Sequence, residues 1–113
     1  MEGKTILGLT ENVSIIAEDV REIRARVDTG ATYSSIDKKL ADELNLGPVQ
    51  RTKVVRSANG KFERPFILVK VKMNGHEIEE EFTVADRSEM RYAVLIGQNI
   101  LKKGNFLINP LKE

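Results

Sequence analysis

Two Asn-Gly pairs, Asn59-Gly60 and Asn74-Gly75, restrict the possible folds of this chain more than any other feature. Both residues of such a pair accept the positive φ angles of a type I′ turn, which joins two adjacent antiparallel strands. The first pair therefore predicts a hairpin between strands at residues 52–57 and 61–73, and the second joins that long strand to another at 76–85. Three successive antiparallel strands commit the middle of the chain to a β-sheet.

Short strands are also predicted on both sides of this central region. Apolar and charged residues alternate at 22–28, which predicts a strand with one buried face. The continuous apolar run at 93–96 predicts a strand that is buried on both faces. Strands are further predicted at 5–9 and 13–17, which flank Thr-Glu-Asn as a hairpin-like pair, and at 106–109.

Helical signals are limited to two places. Ser34, with Asp37 three residues later, matches a capping box and predicts a helix that ends at Gly47-Pro48. The apolar face of this helix would carry Ile36, Leu40, Ala41 and Leu44. A short helical turn is predicted at 99–103. The expected fold is therefore mainly β, a small closed barrel with one inserted helix and a C-terminal helical turn, formed by residues 1–113 as a single domain.

The composition argues against several classes of function. The chain has 18 Lys and Arg against 17 Asp and Glu, and this net charge of +1 predicts no binding to nucleic acid or to an anionic membrane. No apolar run approaches the ~20 residues of a membrane span, and the charged start leads into no secretory hydrophobic segment. The absence of Cys rules out disulfides, thiolate catalysis and Cys-based zinc sites. A reducing cytoplasm is the location that we expect.

The strongest candidate for chemistry is Asp28-Thr29-Gly30-Ala31, at the end of a predicted strand. Gly30 removes a side chain where another backbone or carboxylate must come close. A lone carboxylate in such a place needs a partner, whereas two facing carboxylates can share one proton and serve as acid and base toward a water. The alternative is a strand-ending turn in which Asp28 accepts local backbone hydrogen bonds. The tetrapeptide alone leaves both interpretations open.

A second motif lies near the other end of the chain, where Leu95-Ile96-Gly97 precedes the helical turn. This pairing of DTGA with a later LIG and helix resembles the retropepsin-like aspartic proteases. The closer similarity is to a bacterial and archaeal branch labelled ATP-dependent zinc proteases, and it covers nearly the whole chain. It is carried by RARVDTGATYSSI, VVRSANGKFERPFILVKVKMNG, EEEFTVADRSEMRYAVLIGQNIL and NFLINP. Members of that branch often lie beside ATP-grasp ligases that add glutamates to proteins.

The resemblance implies a role for each matching residue. Asp28 would be the catalytic carboxylate, Thr29 would hydrogen-bond across a dimer, and Gly30 would allow the two loops to approach. Ala31 would line the substrate backbone. The implied flap tip consists of Ser57, Ala58, Asn59 and Gly60. The implied strand beside the active site carries Leu95, Ile96 and Gly97. For the flap tip, a solvent-exposed hairpin without a role in binding is the alternative.

The chain departs from the retroviral pattern at two positions. Gln98 stands where those proteins carry an Arg, and Thr32-Tyr33 stands where they carry acidic residues. Both halves of the usual ion pair are therefore missing together. A neutral contact in its place would preserve the fold and leave a weaker dimer.

An aspartic protease needs two carboxylates, and this chain contains one Asp-Thr-Gly. Asp86 lies in a turn-like segment, and the acidic run at 79–81 is typical of a solvated strand face, so neither suits the second position. The partner would then be Asp28 of a second copy, because a two-fold axis brings identical residues together. We therefore expect a homodimer.

The zinc and ATP in the label of the bacterial branch find little support in the residues. His76 is the one His, it follows an Asn-Gly turn, and no H-E-x-x-H motif is present. No P-loop glycine pattern occurs either. We expect no metal site and no cofactor.

The leading hypothesis is a homodimeric aspartic endopeptidase that cleaves an extended peptide with a water activated by paired Asp28 carboxylates. The alternative is a non-catalytic dimeric β-barrel that binds a peptide by strand addition or partners an ATP-grasp ligase. A metallopeptidase ranks last. The peptide specificity stays open, because the pocket residues would come from both subunits and the flap.

Overall fold

The computed structural model describes residues 3–57 and 60–112. The strands in these ranges are β1 (Ile6–Leu7), β2 (Thr10–Ile16), β3 (Val20–Val27), β4 (Ser34–Asp37), β5 (Val49–Ser57), β6 (Gly60–Met73), β7 (His76–Ala85), β8 (Val94–Ile96) and β9 (Leu107–Ile108). The helices are α1 (Lys38–Glu43) and α2 (Gln98–Lys103). Within the described ranges, neither of these six-residue helices is long and apolar enough to cross a membrane.

Six strands close into a barrel in the order β2-β3-β8-β4-β7-β6, and the ring closes where β2 pairs with β6. Strand β5 pairs with β6 and continues that sheet beyond the ring, while β1 and β9 form a separate parallel pair. The barrel interior is filled by fully buried apolar side chains, among them Val71, Phe82, Ile15, Ile36 and Ile96. The predicted mainly β barrel with two short helices is confirmed.

The predicted hairpins in the middle of the chain are confirmed. Asn74 and Gly75 both have positive φ angles, 49° and 82°, and the flanking strands pair in register from Met73 and His76. Strands β5 and β6 pair up to Ser57 and Gly60, as the first Asn-Gly pair predicts. Asn59 itself lies outside the described residues.

The predicted strands and helical turn near the C-terminus are also confirmed. Strand β8 is buried at every residue and lies between β3 and β4 in the barrel. Helix α2 begins directly after it, and β9 follows in the segment where the last strand is predicted. Both faces of β8 are covered, because Val94 and Ile96 belong to the core and Leu95 on the opposite face is only 9% exposed, and this explains the continuous apolar run.

The prediction of a hairpin around Thr-Glu-Asn is wrong. Thr10–Ile16 is a single strand that pairs with β3, and the turn between them lies at 17–19. Glu11, Val13 and Ile15 are the buried residues on the inward face of this strand. The inward face therefore begins at Glu11, two residues before its first apolar residue, Val13. A buried carboxylate interrupts the hydrophobic pattern and conceals the first part of the strand.

The prediction of a capping box at Ser34 and Asp37 is wrong as well. Ser34–Asp37 is strand β4, which pairs with β7 on one edge and with β8 on the other. Helix α1 begins only at Lys38, its N-cap Asp37 makes no side-chain cap bond, and it ends well before Gly47-Pro48. Ile36 therefore belongs to a strand, whereas Leu40, Ala41 and Leu44 are buried on the helical segment as predicted. Pairing on both edges outweighs the local helical signal in this short segment.

Candidate active site

Asp28 lies at the first position after β3, next to the strand that carries the second motif. Strand β3 runs parallel to β8 with Val27 opposite Ile96, and the Asp28 N–H donates to the Ile96 carbonyl at 2.9 Å. Because β3 is anchored on both edges by β2 and β8, its end is well defined in space. The fold thus brings Asp28 beside Leu95, Ile96 and Gly97, which stand nearly 70 residues away in the sequence.

The Asp28 side chain uses one oxygen and leaves the other open. Oδ1 accepts the Gly30 N–H at 2.9 Å, and the Ala31 N–H donates to the Asp28 carbonyl at 3.3 Å. Oδ2 takes part in no hydrogen bond among the described residues, and the residue is partly exposed. Asp28 therefore does accept the local backbone hydrogen bonds of a strand-ending turn, as the alternative interpretation predicts. These bonds occupy only one of its two carboxylate oxygens.

The loop after Asp28 is held by the start of helix α2. The Gln98 N–H donates to the Ala31 carbonyl at 2.8 Å, and the Asn99 N–H donates to the Thr32 carbonyl at 3.2 Å. The Gln98 side chain adds a third bond, from Nε2 to the Thr29 carbonyl at 2.8 Å. A neutral amide thus makes a direct contact to the loop at the position where the retroviral pattern has an Arg.

Gly97 lets the second motif approach this loop. A Cβ at Gly97 would lie 2.6 Å from the Tyr33 carbonyl carbon and oxygen and 2.9 Å from the Ala31 oxygen. These atoms are backbone and cannot move aside cheaply. The glycine is therefore required for close packing, and Leu95 and Ile96 before it are buried.

Ser34 and Asn99 form a buried link that sequence reasoning missed. The Ser34 hydroxyl donates to Asn99 Oδ1 at 2.8 Å and accepts the Gly97 N–H at 2.9 Å. Asn99 Nδ2 donates to the Glu81 carbonyl at 2.8 Å, which ties the network to strand β7. The signal available in the sequence is Asn99 two positions after Gly97, but the local pattern around Ser34 predicts a helix cap and so conceals the link.

The implied flap is the hairpin of β5 and β6, which continues past the barrel. Ser57 and Gly60 pair at its described end, while Ala58 and Asn59 lie outside the described residues. On the hairpin, Val54 and Phe62 leave large apolar side chains exposed. The described part is therefore compatible with a cover over a bound peptide and with a plain exposed hairpin.

An aromatic and charged cluster joins the base of this hairpin to the loop after Asp28. The Tyr33 ring packs edge-on against Phe66 with centroids 4.9 Å apart, and the Arg51 guanidinium lies 4.1 Å from the Phe66 centroid. Arg51 also donates two hydrogen bonds to Glu81, at 2.9 and 3.0 Å, and these bonds lower the pKa of Glu81. Tyr33 thus joins the loop to the hairpin through ring packing against Phe66, at a position where the retroviral pattern has an acidic residue of an ion pair.

The described residues do not fit a zinc site. His76 Nε2 shares a hydrogen bond of 2.9 Å with Thr5 Oγ1, and the His76 ring packs edge-on against Phe106 with centroids 5.0 Å apart. Among the residues that the structure describes, no three His, Asp or Glu side chains gather where they could hold a metal ion. His76 serves the packing of the terminal strands.

The family model described as "gag-polyprotein putative aspartyl protease" matches residues 14–103, a range that includes Asp28 and Gly97. The chain belongs to this family. The match spans the whole six-stranded barrel except the first residues of β2.

Solved structures of this shape include two viral proteases. The EIAV protease in complex with the inhibitor HBY-793 has a TM-score of 0.67 at 23% identity, over 86% of this chain and 88% of that one. The Simian Foamy Virus (mac) protease has a TM-score of 0.64 at 15% identity, over 82% and 91%. A DUF785 protein of unknown function from Legionella pneumophila has a TM-score of 0.70 at 18% identity, over 96% and 94%. These similarities show the retropepsin-like fold.

The curated relatives are much longer proteins. Two of them, from Shewanella halifaxensis and Shewanella pealeana, are named "Probable alpha-L-glutamate ligase" and are 28% and 27% identical to this chain over 96% of its length. The match occupies 29% of the length of each of these proteins.

Proposed function

We propose that this member of the aspartyl protease family is a homodimeric endopeptidase in which two Asp28 carboxylates activate the attacking water. The observation that carries the proposal is the state of Asp28. Its carboxylate stands at the edge of a rigid loop with one oxygen bonded to the Gly30 N–H and the other open. The one Asp-Thr-Gly of the chain supplies half of the required pair.

In the proposed reaction, the two Asp28 side chains share a single proton, because like charges at short range cannot both ionise. The ionised carboxylate takes a proton from water as the water attacks the peptide carbonyl, and the protonated one donates to the carbonyl oxygen. Gly30 leaves room for this approach. Ala31 would contact the substrate backbone, and the hairpin end at Ser57 and Gly60 would cover it.

The dimer is supported by exposed groups near the Asp28 loop. Among the described residues, strands β1 and β9 pair only with each other, which leaves an outer edge of each without a neighbouring strand. Ile6 on β1 and Leu9 shortly after it are large apolar residues that are half exposed. A second copy that extends this sheet would cover them and place the two Thr29 residues near the axis.

We further propose that the chain belongs to the branch labelled ATP-dependent zinc proteases and acts together with an ATP-grasp ligase that attaches glutamate. The support is the similarity to the Shewanella proteins, whose name is that of a glutamate ligase. The donor set around His76 gives no support to zinc, so the proposed mechanism contains no metal step.

The test is a subunit-mixing experiment with Asp28→Asn. The amide cannot take a proton from water, so the variant should cleave no peptide while its fold persists. After full exchange of equal amounts of variant and wild type, about a quarter of the dimers are wild type, and activity per total protein should fall to about a quarter. Exchange is verified with differently tagged subunits.

A site contained in one chain would retain about half of the activity, since each subunit would then act alone. That result would refute the shared site. If wild type binds peptides as tightly as Asp28→Asn but cleaves none under any condition, the chain is a peptide-binding module and the catalytic proposal fails.

A further inference from the structure

A groove of about 310 Å³ opens beside Asp28, and three arginines line it. Arg26 lies on β3 two residues before Asp28, while Arg87 and Arg91 belong to the segment between β7 and β8. Val27, the residue next to Asp28, also lines the groove, and the Asp28 carboxylate is near enough to raise the pKa of Arg87, so the groove lies next to the proposed reaction centre. Among the described residues that line it, none carries a negative charge.

The remaining wall of the groove is largely apolar. Leu9 and Met90 are each 55% exposed at its rim, and Val27 and Tyr92 complete the surface. Such a wall suits the methylene groups of a side chain whose end reaches the arginines. The combination of a short apolar wall and three arginines is complementary to a Glu or Asp side chain.

The positive charge of the groove is not neutralised by ion pairs. The four ion pairs among the described residues involve other basic residues than Arg26, Arg87 and Arg91. Arg87 donates from Nε to the Tyr92 carbonyl at 3.0 Å, which orients the guanidinium and leaves its terminal nitrogens for another acceptor. Arg91 stacks over the Tyr92 ring at 5.6 Å.

Arg87 is flanked by charges of both signs. Burial lowers the pKa of Arg87, the nearby carboxylates of Asp37 and Asp28 raise it, and the charge of Arg26 lowers it. Arg26 and Arg87 therefore lie close enough to interact electrostatically, and one ligand carboxylate in the groove would be attracted by both.

We propose that this groove is a specificity pocket that binds an acidic side chain of the peptide next to the scissile bond. The inference rests on the proposed endopeptidase function and specifies its substrate class. Because a two-fold dimer presents the same pocket on both sides of the reaction centre, acidic residues are preferred on both sides of the cleaved bond.

The test uses internally quenched decapeptides that differ only in their central pair, which is Glu-Glu, Gln-Gln, Leu-Leu or Lys-Lys. Wild type should cleave the Glu-Glu peptide with a kcat/KM roughly tenfold above that for Gln-Gln, since a charge-assisted hydrogen bond is stronger than a neutral one by about 1.4 kcal/mol, which corresponds to a factor of ten. Arg26→Gln combined with Arg91→Gln should remove the preference. Arg24→Gln is the matched control, because Arg24 lies on the same face of β3, is exposed, and does not line the groove.

A binding measurement separates this inference from the catalytic proposal. On the Asp28→Asn background, fluorescence anisotropy should show the labelled Glu-Glu peptide binding roughly tenfold tighter than Gln-Gln, with the difference lost in the double Arg variant. If this pattern holds while wild type cleaves nothing, the pocket stands and the endopeptidase fails. If wild type cleaves the Gln-Gln or Leu-Leu peptide as fast as Glu-Glu, or if the two peptides bind equally, the pocket is refuted.

Discussion

Two carboxylates in this barrel, Glu11 on β2 and Asp28 at the end of β3, have opposite surroundings. Glu11 is 7% exposed, and its Oε2 accepts the Gly8 N–H at 2.7 Å and Lys112 Nζ at 2.8 Å. Its Oε1 is within 3.4 Å of Asn74 Nδ2. Asp28 is partly exposed and has one backbone donor. The first carboxylate is saturated and the second is not.

The difference shows that Glu11 contributes to stability, whereas the Asp28 carboxylate is available for chemistry. Burial raises the pKa of Glu11, but the hydrogen bonds from Lys112 and Gly8 outweigh burial and lower the pKa overall. The folded protein thus prefers the ionised form, and this carboxylate joins β2 to the C-terminal segment. At Asp28 the backbone of the loop is fully held while the carboxylate remains available. The side chain of Glu11 stabilises the fold through its own hydrogen bonds. The Asp28 loop is held through bonds to its backbone, which leave the Asp28 side chain available.

The largest expected effect is on catalysis at Asp28. Asp28→Asn should lower kcat/KM by about 10³-fold or more, because it removes the proton acceptor. The free energy of unfolding should change by less than about 0.5 kcal/mol, since the Asn oxygen still accepts the Gly30 N–H. Peptide cleavage and urea unfolding of the same preparation measure both. A large loss of stability would mean that Asp28 is structural in the way that Glu11 is.

The backbone around Asp28 should be far less tolerant than its side chain. Gly97→Ala is expected to lower the free energy of unfolding by about 3 kcal/mol, because the new Cβ overlaps the Tyr33 and Ala31 backbone. Gly75→Ala is the control, since its Cβ meets no atom within 4 Å and only the positive φ opposes it. That change should cost about 1 kcal/mol. Equal losses of unfolding free energy in the two variants would contradict close packing of the loop against Gly97.

Glu11 should show its contribution in the pH dependence of stability. Its pKa is lowered in the folded state, so the stabilisation is complete above the unfolded pKa of about 4.3 and is lost as pH falls through the folded value. Glu11→Gln should therefore cost about 1–2 kcal/mol near pH 7 and progressively less below about pH 4. Urea unfolding of wild type and variant at a series of pH values measures the gap. A gap that grows toward acid would contradict the ionised, bonded carboxylate.

The smallest expected effect concerns Gln98, whose amide holds the Thr29 carbonyl. Gln98→Ala should weaken the proposed dimer about two- to fivefold, since the loss of one exposed hydrogen bond is worth about 0.5–1 kcal/mol. Sedimentation over a range of concentrations measures the dissociation constant. Gln50→Ala is the control, because Gln50 is exposed on β5 and, in the part of the chain that the structure describes, its side chain donates only to the carbonyl of Pro48. An unchanged constant in Gln98→Ala would leave Gln98 without a part in the interface.

Much of the fold was predictable because its signals are local. Asn74 and Gly75 define their hairpin through positive φ angles, and the apolar run of β8 reflects burial on both faces. The errors occurred where a polar residue is buried by distant partners. The local pattern predicts a turn at Glu11, because the bonds of Glu11 to Lys112 and Asn74 cross more than 60 residues and leave no local signal. It predicts a helix cap at Ser34 for the same reason, since the partner Asn99 is 65 residues away.

The sequence by itself determined the class of fold and the residue most suited to chemistry, because strand alternation, turn residues and the Asp-Thr-Gly motif act over a few positions. Only the tertiary structure decided which carboxylate is saturated and which is open, and which arginines gather beside Asp28. Arg26 and Arg87 are 61 positions apart and share one groove because β3 and the segment before β8 meet at the same end of the barrel. Hydrogen bonding and charge depend on distance in space, and a closed barrel sets those distances through pairings that no short segment contains.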